Sequence, residues 1–150
     1  MPHERQTLLA RLSSISSQIA DAVQRASAKP QPAGDWPLST ILIHLWLVED
    51  AVWQSRLKQM ATQDNPHWQW TEPALDEAVA RYGGLPLSEL GDMFARRRGE
   101  TVAHVQALTD DGWNRIGTHA RYGQMGVAGL CARILEHDEE HLADLAARAK

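Results

Sequence analysis

The sequence of 150 residues contains one cysteine, Cys131, and has no apolar run long enough to cross a membrane. A single cysteine excludes a disulfide framework within the chain and is typical of proteins from a reducing compartment. The charged first residues also lack the apolar stretch of a secretory signal. We therefore expect a soluble, cytoplasmic protein.

Positive charge is scarce as well. The chain has 15 lysine and arginine residues against 19 aspartate and glutamate residues, for a formal net charge of -4. Such a balance gives no general attraction for nucleic acids or anionic membranes, so neither is expected as a partner. The 43% of hydrophobic and 23% of charged residues are typical of one globular domain, which we place over residues 1–150.

Apolar residues recur at intervals of three and four in four segments, as they do on one face of an amphipathic helix. These segments are residues 4–27, about 37–60, 88–108 and about 125–147. No alternating pattern of useful length is present, so we expect no sheet, and four such helices predict an all-α four-helix bundle. The predicted core includes Leu12, Ile15, Ile19, Leu45, Val48, Phe94, Val105, Leu130, Ile134 and Leu145.

Two histidines interrupt the apolar stripe of the fourth helix. His137 and His141 follow Ile134 at helical spacing, and residues four apart lie about 5–6 Å from each other on one face. That separation allows two imidazoles to bind one metal ion at about 2.0–2.1 Å each. The acidic residues between them, Asp138 to Glu140, are interpreted as a solvated face.

A third histidine, His44, lies on the stripe of the second helix between Ile41 and Val48. Three imidazole nitrogens from two facing helices are sufficient to hold a divalent ion and leave positions open for water or substrate. Ligation needs the neutral ring, so binding is expected to weaken as the pH falls through about 6. The alternative is that these histidines are ordinary buried polar residues with satisfied hydrogen bonds.

Two further residues are candidates for a catalytic role. Glu49, five residues after His44, would orient a ligand or accept a proton; alternatively it is a surface carboxylate. Arg97 interrupts the apolar stripe of the third helix and would hold a substrate carboxylate, unless it extends to solvent or pairs with an acidic residue. His119 lies in a predicted loop that would close over a cleft, and Cys131 is expected to be a small core side chain.

Two segments carry a family resemblance. "GDWPLSTILIHLWLVEDAVW", residues 34–53, and "GQMGVAGLCARILEHDEEHLADL", residues 123–145, resemble the second-helix and last-helix motifs of the DinB/YfiT-like superfamily. The resemblance implies a bundle with up-down-down-up connectivity and a long crossover between helices 2 and 3, which residues 64–87 suit. It also implies metal ligation by three histidines, matching His44, His137 and His141.

Members of that superfamily bind nickel, zinc or similar divalent ions, and a few are thiol-dependent enzymes. The resemblance therefore implies one divalent ion, nickel or zinc first and iron or manganese next, in a metal-dependent thiol S-transferase that uses a low-molecular-weight thiol. A metal-dependent hydrolase and a non-catalytic metal-binding bundle with a stress-response or interaction role are the alternatives. A homodimer is expected from the same resemblance.

Overall fold

The computed structural model describes residues 2–150, and four long helices dominate it. In chain order the elements are α1 (Pro2–Ser27), α2 (Leu38–Val48), a π-helical segment (Glu49–Gln54), α3 (Ser55–Thr62), β1 (His67–Trp68), α4 (Asp76–Tyr82), α5 (Leu87–Gln106), α6 (Asp110–Trp113), β2 (Ile116–His119), β3 (Gly123–Gly126) and α7 (Val127–Arg148). The segments α2, π and α3 follow one another without a break and form the second long helix. The prediction of a four-helix bundle is confirmed.

Hydrogen bonds between α1 and α5 show how these two helices run relative to each other. α1 packs against α5 and α7. Arg5, near the start of α1, donates hydrogen bonds to the carbonyl oxygens of Val105 and Gln106 at the end of α5. The two helices are therefore antiparallel.

The second long helix runs parallel to α5. Glu49 contacts Arg98, and Gln54, further along the same helix, donates to the hydroxyl of Thr101 at 3.1 Å. Parallel neighbours cannot be joined by a tight turn, which is why the chain uses the long connection of residues 63–86, containing β1 and α4.

The last helix, α7, runs antiparallel to the second. Arg148 at its end donates to the carbonyl of Trp36, just before α2, while His137 further back contacts His44. The four long helices thus have the up-down-down-up order that was expected. All the predicted core residues are buried, with at most 2% of their surface exposed.

The expectation that no sheet is present is wrong. β1 pairs parallel with β2, and β2 pairs antiparallel with β3, in strands of only two to four residues. Strands this short cannot display a recognisable alternation in the sequence. Gly117 on β2 lies directly against Trp68, since a Cβ atom there would come within 2.0 Å of the indole ring. The sheet joins the crossover to the segment that precedes α7.

A buried ion-pair cluster connects the helices at the centre of the bundle. The Arg98 guanidinium donates to both carboxylate oxygens of Glu49 at 2.8 Å, to the carbonyl of Leu12 at 3.0 Å, and lies 2.7 Å from Asp138. The three charged side chains are at most 1% exposed. The interpretation of Asp138 as part of a solvated face is therefore wrong: its carboxylate faces the positive charge on α5.

Two further expectations from the sequence concern membranes and assembly. Within residues 2–150, no helix combines the length and the hydrophobicity needed to traverse a bilayer. The homodimer and the cytoplasmic location expected from the sequence stay predictions.

The ion-pair cluster predicts a large difference between two adjacent arginines. Arg98→Met leaves Glu49 and Asp138 buried without a counterion, and we expect a loss of about 3–5 kcal/mol in the free energy of unfolding. Arg97→Met removes only a partly exposed arginine, and we expect a change within about 1 kcal/mol. Urea unfolding followed by circular dichroism measures both, and equal losses for the two variants would contradict the central role of Arg98.

Candidate metal centre

Three histidines on two helices meet at one point. His44 on α2 and His137 and His141 on α7 each offer a ring nitrogen, and these nitrogens all lie within 4.8 Å of one another. The Nε2 atoms of His44 and His137 are 3.4 Å apart. Two ligands bound tetrahedrally at about 2.05 Å are separated by about 3.3 Å, and no two ligands of one ion exceed about 4.2 Å. A small rotation of one ring is the most that coordination requires.

The environment keeps these rings neutral. Burial lowers the pKa of His44 to about 4. Burial, and then the neighbouring charges of His141, His44 and Arg98, lower the pKa of His137 to about 3. The pKa of His141 is also lowered, chiefly by burial. At neutral pH each imidazole therefore has a free lone pair, which is the form that binds a metal ion.

The hydrogen bonding within the cluster is incomplete in a way that suits a cation. Among the described residues, His137 Nδ1 is buried without a hydrogen-bond partner. The 3.4 Å contact between two neutral Nε2 atoms is at best one long hydrogen bond. Buried polar atoms are normally satisfied, so rings packed this closely fit a shared ion better than they fit each other.

Glu72, in the crossover, orients the first of these rings. Its Oε1 lies 3.0 Å from His44 Nδ1, and its Oε2 accepts a hydrogen bond from Trp70 Nε1 at 3.1 Å. A carboxylate that accepts from Nδ1 fixes the tautomer that presents Nε2 to the ion. Glu72 is half exposed and distant in sequence from both helices, and no pattern in the sequence indicates its role.

Aromatic rings lie beside the cluster. Trp36 lies beside His44, and Trp53 and Trp70 lie beside His137, with ring centroids 5.2–5.8 Å apart. Trp53 belongs to the π-helical segment, whose wider turn changes the direction of the side chains that follow. Trp53 is buried and contributes to the desolvation of His137, whereas Trp36 and Trp70 are 43% and 41% exposed.

A pocket of about 380 Å³ opens beside His137. Trp53, Trp70 and Tyr122 supply apolar walls, and the rest of the lining is polar or charged: Arg56, His119, Arg121, Arg133, Glu136 and Glu140. Small-molecule sites combine apolar walls with a few polar groups in this way. The pocket gives a substrate direct access to one of the three histidines.

His119 forms part of the far wall of this pocket. It lies on β2 and is 6% exposed, and its Nδ1 accepts hydrogen bonds from the backbone N–H groups of Arg121 and Tyr122 at 3.0 and 3.4 Å. The other ring nitrogen, Nε2, then carries the proton of the neutral ring. The expectation that His119 lies in a loop is wrong, since it is the last residue of β2.

Glu49 does not reach the histidine cluster. Both of its carboxylate oxygens are held by Arg98, it is fully buried, and it does not line the pocket. Five residues of α-helix rotate a side chain by about 140°, so Glu49 and His44 point in different directions. Its proposed action at the metal stays a prediction without support from this geometry.

Arg97 also lies outside the pocket lining. Its guanidinium stacks over Trp46 with 4.7 Å to the ring centroid and lies 3.4 Å from the carboxylate of Asp50. This is the alternative that the sequence analysis left open, namely pairing with an acidic residue. The buried arginine is its neighbour Arg98. Cys131 is fully buried, and burial raises the pKa of its thiol to about 12, so it serves as a core side chain.

Comparisons with known proteins agree with this architecture. A family model described as the DinB superfamily matches residues 3–145 of the chain. The fold is similar to that of YfiT from Bacillus subtilis, described as "a probable metal-dependent hydrolase with an unusual four-helix bundle topology". The two chains are 16% identical, the match covers 96% of this chain and 85% of YfiT, and the TM-score is 0.71.

Substitution of the histidines tests the centre directly. His44→Ala and His137→Ala should each weaken zinc or nickel binding by about a hundredfold or more. Loss of a residue that only hydrogen-bonds to a ligand already weakens metal binding by about 10- to 100-fold, and loss of the ligand itself should cost more. His104→Ala is the matched control, because His104 lies in a different groove beside Gln54 and Lys58. Titration calorimetry on the folded variants measures the affinities. Unchanged binding after loss of all three histidines would disprove the site.

The lowered pKa values predict an unusual pH dependence. An ordinary imidazole, with a pKa of about 6.5, would lose its ion as the pH falls through 6. Here two of the rings stay neutral until the pH approaches about 4 and about 3. Burial lowers the pKa of His141 as well, so we expect the zinc affinity to fall only at a pH clearly below 6.5. A midpoint near 6.5 in the same calorimetric titration would show that the rings are not desolvated.

Proposed function

The chain belongs to the DinB superfamily, and from that premise we propose that it is a metal-dependent hydrolase whose divalent ion is held by His44, His137 and His141. One observation carries the proposal: three neutral imidazoles converge on one point, and one of them, His137, lines an open, substrate-sized pocket. Three protein ligands leave further positions of the ion for water and substrate.

Nitrogen donors favour nickel, zinc or iron over magnesium and calcium, which prefer oxygen. When bound, such an ion supplies Lewis acidity, which lowers the pKa of water and polarises a carbonyl group. The protein's own part is to hold the three rings in place. Packing against the tryptophans fixes their direction, and Glu72 fixes the tautomer of His44.

Hydrolysis also requires a group that accepts a proton. Glu140 follows His137 by three residues on α7, lines the pocket together with it and is exposed, so its carboxylate is accessible from the pocket. A carboxylate placed beside a reacting water accepts its proton and passes it to the leaving group. We assign this role to Glu140 and the positioning of His44 to Glu72.

Thiol transfer, the reaction first expected from the family resemblance, is the second candidate. The arginines that line the pocket favour it, because positive charge lowers the pKa of a bound thiol and stabilises the thiolate. The chain's own thiol cannot take part, since Cys131 is buried in the core. The thiol would therefore be a low-molecular-weight co-substrate.

One experiment separates the candidates. The protein reconstituted with zinc or nickel is assayed against a panel of anilides and esters, and in parallel for consumption of a low-molecular-weight thiol with a generic electrophile. We expect hydrolysis that requires the ion, with kcat/KM reduced by about a hundredfold or more in Glu140→Gln. Glu77→Gln, an exposed carboxylate on α4, is the control and should have no effect.

The other outcomes are equally informative. Ion-dependent thiol consumption without hydrolysis would establish the transferase. Tight metal binding with neither reaction would favour the third hypothesis, a non-catalytic bundle.

A further inference from the structure

The pocket beside His137 contains a buried cation that has no counterion. Arg56 is 6% exposed, and its guanidinium lies between the rings of Trp53 and Trp68, at 5.5 and 5.4 Å from their centroids. Within residues 2–150, no carboxylate oxygen lies within 4.0 Å of it, and no hydrogen bond joins it to an acceptor. Cation–π contacts offset only part of the cost of burying such a charge. Its planar edge is a binding position for an anion.

Two more guanidiniums line the same pocket. Arg121 and Arg133 stack over Tyr122, at 5.4 and 4.7 Å from its centroid. Arg133 is neutralised by Glu136, whose carboxylate lies 2.8 Å away. Arg121 is exposed, and none of the described carboxylates pairs with it.

The charges of the pocket leave an excess of one positive charge. Its lining contains three arginines and two glutamates, Glu136 and Glu140. The pKa of His119 responds to this field, since it is lowered by burial and then by the charges of Arg56, Arg121 and Arg133. The neutral ring, with its proton on Nε2, adds a hydrogen-bond donor to the same wall.

We propose that this pocket binds a small substrate with one carboxylate group on a flat apolar body. Arg56, Arg121 and His119 receive the carboxylate, and Trp53, Trp70 and Tyr122 contact the body. Without the ion, the one excess positive charge of the side chains fits a monoanion better than a phosphate dianion, and about 380 Å³ accommodates a body of one or two rings. This proposal gives the substrate class of the hydrolase proposed above. It depends on that hydrolase for the reaction, but not for the binding of the carboxylate.

The binding step is tested with benzoate, its neutral analogue benzamide, and phenyl phosphate. Titration calorimetry is performed on the full-length protein, both metal-loaded and metal-stripped, so that ligation of the ion by benzoate is recognised. We expect benzoate to bind more tightly than benzamide in both forms, and more tightly than phenyl phosphate in the metal-stripped form. Arg121→Gln and Arg56→Gln should each weaken benzoate binding by about tenfold or more, as the loss of a charge-assisted hydrogen bond does, and leave benzamide binding unchanged.

Arg81→Gln is the matched control, because Arg81 stacks over Tyr82 at 5.2 Å, much as Arg121 stacks over Tyr122, but lies outside the pocket. Arg121 is exposed, so its substitution tests the proposal even if the Arg56 variant unfolds. Equal binding of benzoate and benzamide, tighter binding of phenyl phosphate to the metal-stripped protein, or equal effects of the Arg121 and Arg81 variants would overturn the proposal.

Failure of this proposal is distinguishable from failure of the hydrolase. Benzoate binding that depends on Arg121, without any ion-dependent hydrolysis, would leave the anion pocket standing and reject the reaction. Ion-dependent hydrolysis that is equally fast for neutral and for carboxylate-bearing anilides would leave the reaction standing and reject the substrate class.

Discussion

The contact of Arg98 with Glu49 and Asp138 determines how the other helices face one another. It joins the second long helix, α5 and α7, and a further hydrogen bond to the carbonyl of Leu12 adds α1. Because Asp138 faces the centre of the bundle, the rotation of α7 about its own axis is fixed. At about 100° per residue, His137 and His141 then point to the same side of that helix, only about 40° apart. That side faces α2, where His44 lies.

A cluster of buried charges is costly, and its value here is orientation more than stability. Removing three charges from water costs several kcal/mol per ion, which ion pairing and well-placed hydrogen bonds largely offset. Apolar side chains of equal size would pack as tightly but would tolerate small rotations of a helix. Arg98 does not, because its guanidinium must meet Glu49, Leu12 and Asp138 on three other helices. Surface pairs such as Arg11 with Glu139 impose no such restriction.

Periodic patterns in the sequence predict the helices, the core and the histidine cluster, because all three follow from the spacing within single helices. The same patterns cannot choose between Arg97 and Arg98. The intervals from Phe94 to Thr101 are three and four residues through Arg97, or four and three through Arg98, so both series have helical spacing. Only the acidic partners on the other helices decide which arginine is buried. For the same reason the burial of Asp138 could not be predicted from α7 alone.

The parts of the site that do not follow a helical period lie in the connections and the small sheet. Glu72 and Trp70 reach the cluster through the crossover, and His119 reaches the pocket through the sheet, so their positions depend on tertiary structure. This division has a physical consequence. The ligands of the ion lie on packed helices, whereas much of the substrate wall lies on strands and connections that are less stable and more tolerant of change. Substitutions in those connections would therefore change which substrate is bound while leaving the affinity for the ion nearly constant, with Glu72 as the residue where the two properties are coupled.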